Sequence, residues 1–197
     1  MLSWPGLDDD IEAEVKSCEV CQLHRAALAA APLHPWEWPE KPWSRIHIDH
    51  GPFMGQLFLI VIDAYSKWME VYPTSSTSAT ATIELLRTHG LPDMLVSDNG
   101  TGFANPEFGT LTAKNGILHL ETAPRQPSFN VLVERSVRTF KDGMKKLEGS
   151  EGAVHTKLSR FLLAYRSTPQ TTTGVTPAEL LFNRRLRTRL DLIRPDD

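Results

Sequence analysis

The run LFLIVI, Leu57 to Ile62, constrains the fold more than any other stretch of this chain. It is the longest apolar run, far too short to span a bilayer, and it suits a buried strand. Its flanks are strand-like too. SRIHIDHGPF ahead of it alternates apolar and polar residues, Gly51-Pro52 punctuates the join, and MEVYPT follows. The pattern then changes period. SATATIELLRTHG reads as a short helix ending at Gly90, and LPDMLVSDNG as a strand stopping at an Asn-Gly turn. NPEFGTLTAKNG reads as another short helix and ILHLETAP as a further strand. Two long helices are expected over Asn130 to Leu147 and Ala153 to Ser167, and TPQTTTGVTPAELLF adds a turn and a short helix. Three strands, helix, strand, helix, strand, then helices predict an α/β domain: a mixed five-stranded sheet with flanking helices.

The ends read differently from this core. Residues 3–30 are helical in pattern, and APLHPWEWPEKPWS is rich in Pro and Trp, which forbids a regular helix and suits an extended linker packed on a surface. The expected organisation is a helical segment over 1–30, a linker over 31–44, the α/β core over 45–170, and a C-terminal helix with a basic tail over 171–197. Met1 is followed by no charged-then-apolar leader, so secretion and membrane insertion are not expected. Cys18 and Cys21 are too few and too close for a disulfide framework, which fits a reducing compartment.

A net charge of -3 hides an asymmetry. Residues 1–124 carry 7 Lys/Arg against 16 Asp/Glu, and residues 125–197 carry 14 against 8. A basic C-terminal third allows nucleic-acid contact without demanding it, because a solvated basic helix has the same composition. Within it, Glu134, Arg138, Lys141 and Lys145 are spaced i, i+4, i+7 and i+11 and share one helical face. An acid among three bases is either an ion-paired surface or a metal ligand beside an anion-binding row.

Asp49 falls mid-strand, Asp98 at a strand end and Glu134 early in the long helix, so all three can converge at one sheet edge. Three carboxylates together repel and raise their pKa values, and a divalent cation removes that penalty. A strand-end Asp before Asn-Gly is also an ordinary turn. Asp63, in VIDAYSKW, has no chemical role in this scheme and reads as a capping or turn residue.

These residues resemble the catalytic core of retroviral and gypsy-type retrotransposon integrases. HIDHGP carries Asp49, SDNGTGF carries Asp98, ER-V-RTFK carries Glu134, and 35 residues separate the last two acids. DAYSKWMEVYP, HGLPDMLVSDNG, NGILH and FLLAYRSTPQTTTGVTPAELLFNRRLRTRLDL resemble the gypsy-type core in the same order. The resemblance implies an RNase H-like fold, with Asp49, Asp98 and Glu134 as catalytic and metal ligands for two Mg²⁺ or Mn²⁺ ions. It implies DNA 3′-end processing and strand transfer, DNA contacts from Asn130, Arg138, Lys141 and Lys145, a homo-oligomer, and action in the nucleus.

Departures from that pattern lead to separate expectations. WPG-DDDIE with CEVCQ resembles the end of the family's zinc-binding domain, but Cys18 and Cys21 are half a site, and structural zinc needs four ligands. Zinc is therefore not expected, and residues 1–30 read as a helical remnant. The family's Tyr-His-Pro-x-Ser-Asn-Gly loop is here Arg125-Gln126-Pro127-Ser128-Phe129-Asn130-Val131, which keeps Pro127 and Asn130 but replaces glycine by a stiffer valine. The helix before HGLP is expected to be one turn short, and nothing after RPDD resembles a C-terminal DNA-binding module. Two readings follow: a metal-dependent integrase core, or an inactive nucleic-acid- or protein-binding module on the same fold.

Overall fold

The structure is a computed structural model of the 197-residue chain, and it describes residues 6–17, 36–100, 102–122 and 131–192. The chain divides into two compact units, Met1–Pro35 and Trp36–Asp197. The described part of the first unit is a single helix, α1 (Leu7–Ser17), with Lys16 in its last turn. Cys18 and Cys21 lie outside the described residues.

The second unit is built on β1 (Arg45–Phe53), β2 (Gln56–Asp63), β3 (Met69–Thr74), β4 (Met94–Ser97) and β5 (Leu118–Glu121), in the order β3-β2-β1-β4-β5. β1, β2 and β3 form an antiparallel meander, while β4 and β5 run parallel to β1. Parallel neighbours need crossovers. Helix α2 (Ala79–Leu86) supplies one, extended by a 3₁₀ turn over Arg87–His89, and α3 (Pro106–Lys114) supplies the other. Asn105 caps α3 by accepting from Phe108 N–H at 2.7 Å, with Pro106 in the first turn. Three helices complete the unit: α4 (Val131–Lys146), α5 (Val154–Ser167) and α6 (Pro177–Phe182), the last entered through a Thr176/Glu179 capping box.

The central strand β2 explains the LFLIVI run. Alternate residues point to opposite faces, and helices cover both. Leu59 and Val61 join Ile46, Ile48 and Leu95 against Ile83 and Leu86 of α2, Phe108 of α3 and Ala178 of α6. Phe58, Ile60 and Ile62 pack on the other face against Val133, Phe140 and Met144 of α4 and Leu158, Phe161 and Leu162 of α5. The fold is thus the mixed five-stranded sheet with flanking helices that the sequence predicts, here with helices on both faces, and it is the RNase H-like arrangement that the resemblance implies.

The Pro/Trp segment over 36–44 lies on this core. Trp43 donates its backbone N–H to Asp63 at 3.0 Å and its indole N–H to the Gly90 carbonyl at 2.6 Å. Asp63 is a buried turn residue: its carboxylate also accepts from the backbone N–H groups of Tyr65 and Ser66 and from the Ser66 hydroxyl. Four donors make burial of that charge tolerable.

A second polar cluster ties α5 to the sheet edge. Arg166 pairs with Glu70 at 2.7 Å, donates to the Met69 carbonyl and lies 4.0 Å over the Trp68 ring. Burial alone would raise the Glu70 pKa, but bonds from His89 and Trp68 and the Arg166 charge outweigh it and hold the carboxyl below its ordinary range.

Candidate catalytic and nucleic-acid site

β1 and β4 set the two aspartates. Their parallel ladder ends with Ile48 opposite Ser97, and the next residue in the chain after each is an acid: Asp49, still within β1, and Asp98, just past the end of β4. Neighbouring strands lie about 4.8 Å apart, which makes these carboxylates lateral neighbours. Asp49 faces the α4 side of the sheet, directly opposite Ile60 of β2. Asp98 is half-buried where the chain leaves β4, and its Oδ1 accepts the Gly100 N–H at 3.1 Å.

Helix α4 crosses this face closely because residue 51 is glycine. A Cβ there would lie 3.0 Å from Ile60, 3.4 Å from Val137 and 3.8 Å from the Lys141 side chain. Val133, Val137 and Phe140 bury the inner side of the helix. Glu134, Arg138 and Lys145 are exposed and Lys141 is half-buried above the sheet. Asn130 lies outside the described residues, as do the altered loop's positions 125–129, while its last position, 131, opens α4.

The Asp49 carboxyl reports how these groups converge. Its pKa is raised to about 6, first by burial and next by the Asp98 charge. The His50 backbone N–H opposes the rise, Glu134 adds to it, and Lys141 reduces it. The structure therefore brings Asp49, Asp98, Glu134 and Lys141 into one electrostatic neighbourhood.

Three hard oxygen donors that repel one another, partly open to solvent, suit Mg²⁺ or Mn²⁺ by chemistry. Among the described residues they are not drawn into a ready coordination shell. The fit is one of donor type and proximity.

Sequence reasoning missed two neighbours. His50 points to the opposite face from Asp49, where it stacks on Phe103 with ring centroids 4.5 Å apart. Its alternation with Asp49 in HIDHG was the available signal. His119 of β5 sits 2.9 Å from the Ser97 hydroxyl, which donates to the Asp98 carbonyl at 2.9 Å, so β5 braces the turn that holds Asp98. That link joins positions 22 residues apart, and only strand pairing could reveal it.

Comparison with known proteins agrees with this architecture. No protein-family model matches the chain. An uncharacterized Caenorhabditis elegans protein, K02A2.6, is 43% identical over 201 residues, covering 98% of this chain and 16% of that protein. The Pro-Pol polyprotein of Simian foamy virus type 3 (strain LK3) is 30% identical over 190 residues, covering 91% of this chain and 16% of the polyprotein. Among solved structures, the catalytic core domain of BIV integrase superposes with a TM-score of 0.61 at 22% identity, covering 72% of this chain and 95% of that one. By sequence and fold the chain belongs with the retroviral integrase catalytic cores. A chain of the simian T-cell lymphotropic virus intasome, solved with PP2A regulatory subunit B56 gamma, matches with a TM-score of 0.70 at 18% identity, over 91% of this chain and 68% of that one. This integrase-like chain spans 16% of the length of the two relatives. No described helix is long and apolar enough to cross a membrane.

Proposed function

We propose that this chain acts as a divalent-metal-dependent DNA polynucleotidyl transferase of gypsy-type character. Water cleaves a phosphodiester near a DNA 3′ end, and the freed 3′-hydroxyl then attacks a phosphodiester of a target strand, displacing one of its oxygens. The observation that carries this reading is the end of the β1–β4 ladder, which sets Asp49 and Asp98 side by side with Glu134 in electrostatic range. Asp49, Asp98 and Glu134 would hold two Mg²⁺ or Mn²⁺ ions. When bound, such ions neutralise phosphate charge and help generate the attacking oxygen. Arg138, Lys141, Lys145 and Asn130 would place the DNA backbone, a contact that is salt-sensitive and indifferent to sequence. Assembly as a homo-oligomer on DNA and action in the nucleus belong to the same proposal, supported by the likeness to the intasome chain.

One observation favours a second reading, a binding module without turnover. Helix α4 already begins at position 131, where the family's loop carries glycine, so the segment entering Glu134 departs from the family's pattern.

A strand-joining assay in Mn²⁺ on a branched DNA that imitates the integration product separates the two. Activity abolished by Glu134→Gln supports the transferase. A folded, DNA-binding wild-type protein that joins no strands overturns it in favour of the binding module.

A further inference from the structure

Beside the catalytic face lies a cavity of about 280 Å³ that the mechanism does not use. It opens between α4, α5 and the segment that follows α5, and is lined by Lys67, Arg135, Thr139, Tyr165, Thr171 and Thr172 among others. Two of these residues are cations, and none of the described lining residues is acidic. Lys67 is held in place: its ammonium donates to the Ala64 carbonyl at 2.6 Å and lies 4.0 Å over the Trp38 ring. Burial and the nearby Arg45 and Arg135 charges lower its pKa to about 8, against the opposing pull of Asp63. The Asp63 carboxylate is itself occupied by the donors described above.

Arg135 is exposed and meets Lys67 electrostatically as a like charge. Lys67 and Arg135 are like charges around one concavity, and an anion held there would offset their repulsion. Arg135 also sits in the early turns of α4, where the helix dipole favours negative charge. Thr171 and Thr172 are exposed at the rim and add hydroxyls suited to sugar and phosphate oxygens. The volume falls just under the roughly 300–1,000 Å³ of ordinary small-molecule sites, which suits a phosphate with its sugar rather than a larger ligand.

We propose that this cavity is a phosphate subsite that takes one sugar-phosphate unit of a nucleic-acid strand. That the strand is nucleic acid rests on the function proposed above; the phosphate chemistry stands on the cavity itself. Arg135 follows Glu134 directly in sequence, so a strand held here would lie alongside the helix that carries Arg138, Lys141 and Lys145.

The test is binding in EDTA at low salt, where no transfer chemistry runs. The probes are deoxythymidine 5′-monophosphate, ribose 5-phosphate, inorganic phosphate and an eight-residue oligothymidylate, read by calorimetry and by NMR. The variants are Arg135→Glu and Thr172→Glu, both at exposed positions, with Lys114→Glu, at an exposed position in the last turn of α3, as comparator. The expected result is saturable mononucleotide binding weakened about ten-fold or more by either cavity variant, as for reversal of a close charge contact, and unchanged in the comparator. The oligonucleotide should weaken with the cavity variants and not with the comparator. Absence of saturable mononucleotide binding overturns the proposal, as does binding indifferent to Arg135→Glu. Inorganic phosphate binding as tightly as the nucleotide overturns the sugar assignment. Sugar phosphates that bind while the oligonucleotide ignores Arg135→Glu overturn the nucleic-acid source. None of these results depends on whether Glu134 supports strand joining.

Discussion

Asp49 is the residue on which stability and chemistry pull in opposite directions. Its folded pKa of about 6 stands above the ordinary 3.8, so the folded state favours the neutral acid. Below pH 3.8 the group is protonated in both states and neutral in its effect; as pH rises to 6 the fold carries a growing penalty, complete above that. The full shift would correspond to roughly 3 kcal/mol, and the partly open carboxyl reduces this to about 2 kcal/mol. Asp49→Asn should therefore raise stability in EDTA at pH 8 by about that amount and give no gain at about pH 3, below the ordinary value. Urea titrations at the two pH values measure it, and an equal gain at both would refute the electrostatic origin. Glu134 is exposed, so Glu134→Gln should leave the unfolding free energy from urea titration within about 0.5 kcal/mol while removing the proposed activity.

At the scale of elements, the α4–α5 contact sets how the helical layer sits on the sheet. Gly143 makes it possible: an added Cβ would lie 2.4 Å from two carbons of the Phe161 ring. Helix propensity alone would favour alanine by about 1 kcal/mol. Overpacking should win, so Gly143→Ala is expected to destabilise by about 1–3 kcal/mol, read from thermal melts. Gly143→Ala with Phe161→Leu should recover part of the loss. Failure of that rescue would place the cost elsewhere. Arg166 is a comparable link between α5 and β3. Arg166→Leu leaves the Glu70 charge without its cation, and a loss of about 3 kcal/mol is expected at neutral pH. The loss should shrink in acid as Glu70 protonates, because its folded pKa is depressed and its contribution exists only above that value.

At the scale of the whole molecule, the proposed metal binding would be linked to folding. If the three acids take up a divalent ion, Mn²⁺ at 100 times its dissociation constant should stabilise the fold by about 2.7 kcal/mol. For a unit of this size that is a rise of several degrees in Tm, roughly 2–4 °C per kcal/mol. Asp49→Asn should abolish most of the increment, and Arg135→Glu should leave it intact. A Tm indifferent to Mn²⁺ would remove the metal from the proposed function without touching the phosphate subsite.

The sequence by itself determined the elements and their kinds. LFLIVI read as a buried strand, and the change of pattern along the chain marked five strands and the helices between them. Asp63 also read as a capping or turn residue, and three of its four donors lie within three positions of it, the fourth coming from Trp43 in the segment before β1. Tertiary structure decided what no local pattern could carry. The parallel register of β1 on β4 makes neighbours of Asp49 and Asp98, 49 positions apart. The absence of a side chain at Gly51 lets α4 bring Glu134 and Lys141 down to them. The cavity between Lys67 and Arg135 exists only because α4 and α5 pack on the same face of the sheet. The physical reason is that periodicity records which face of an element is buried, whereas charge and close approach depend on distances between elements that only packing fixes.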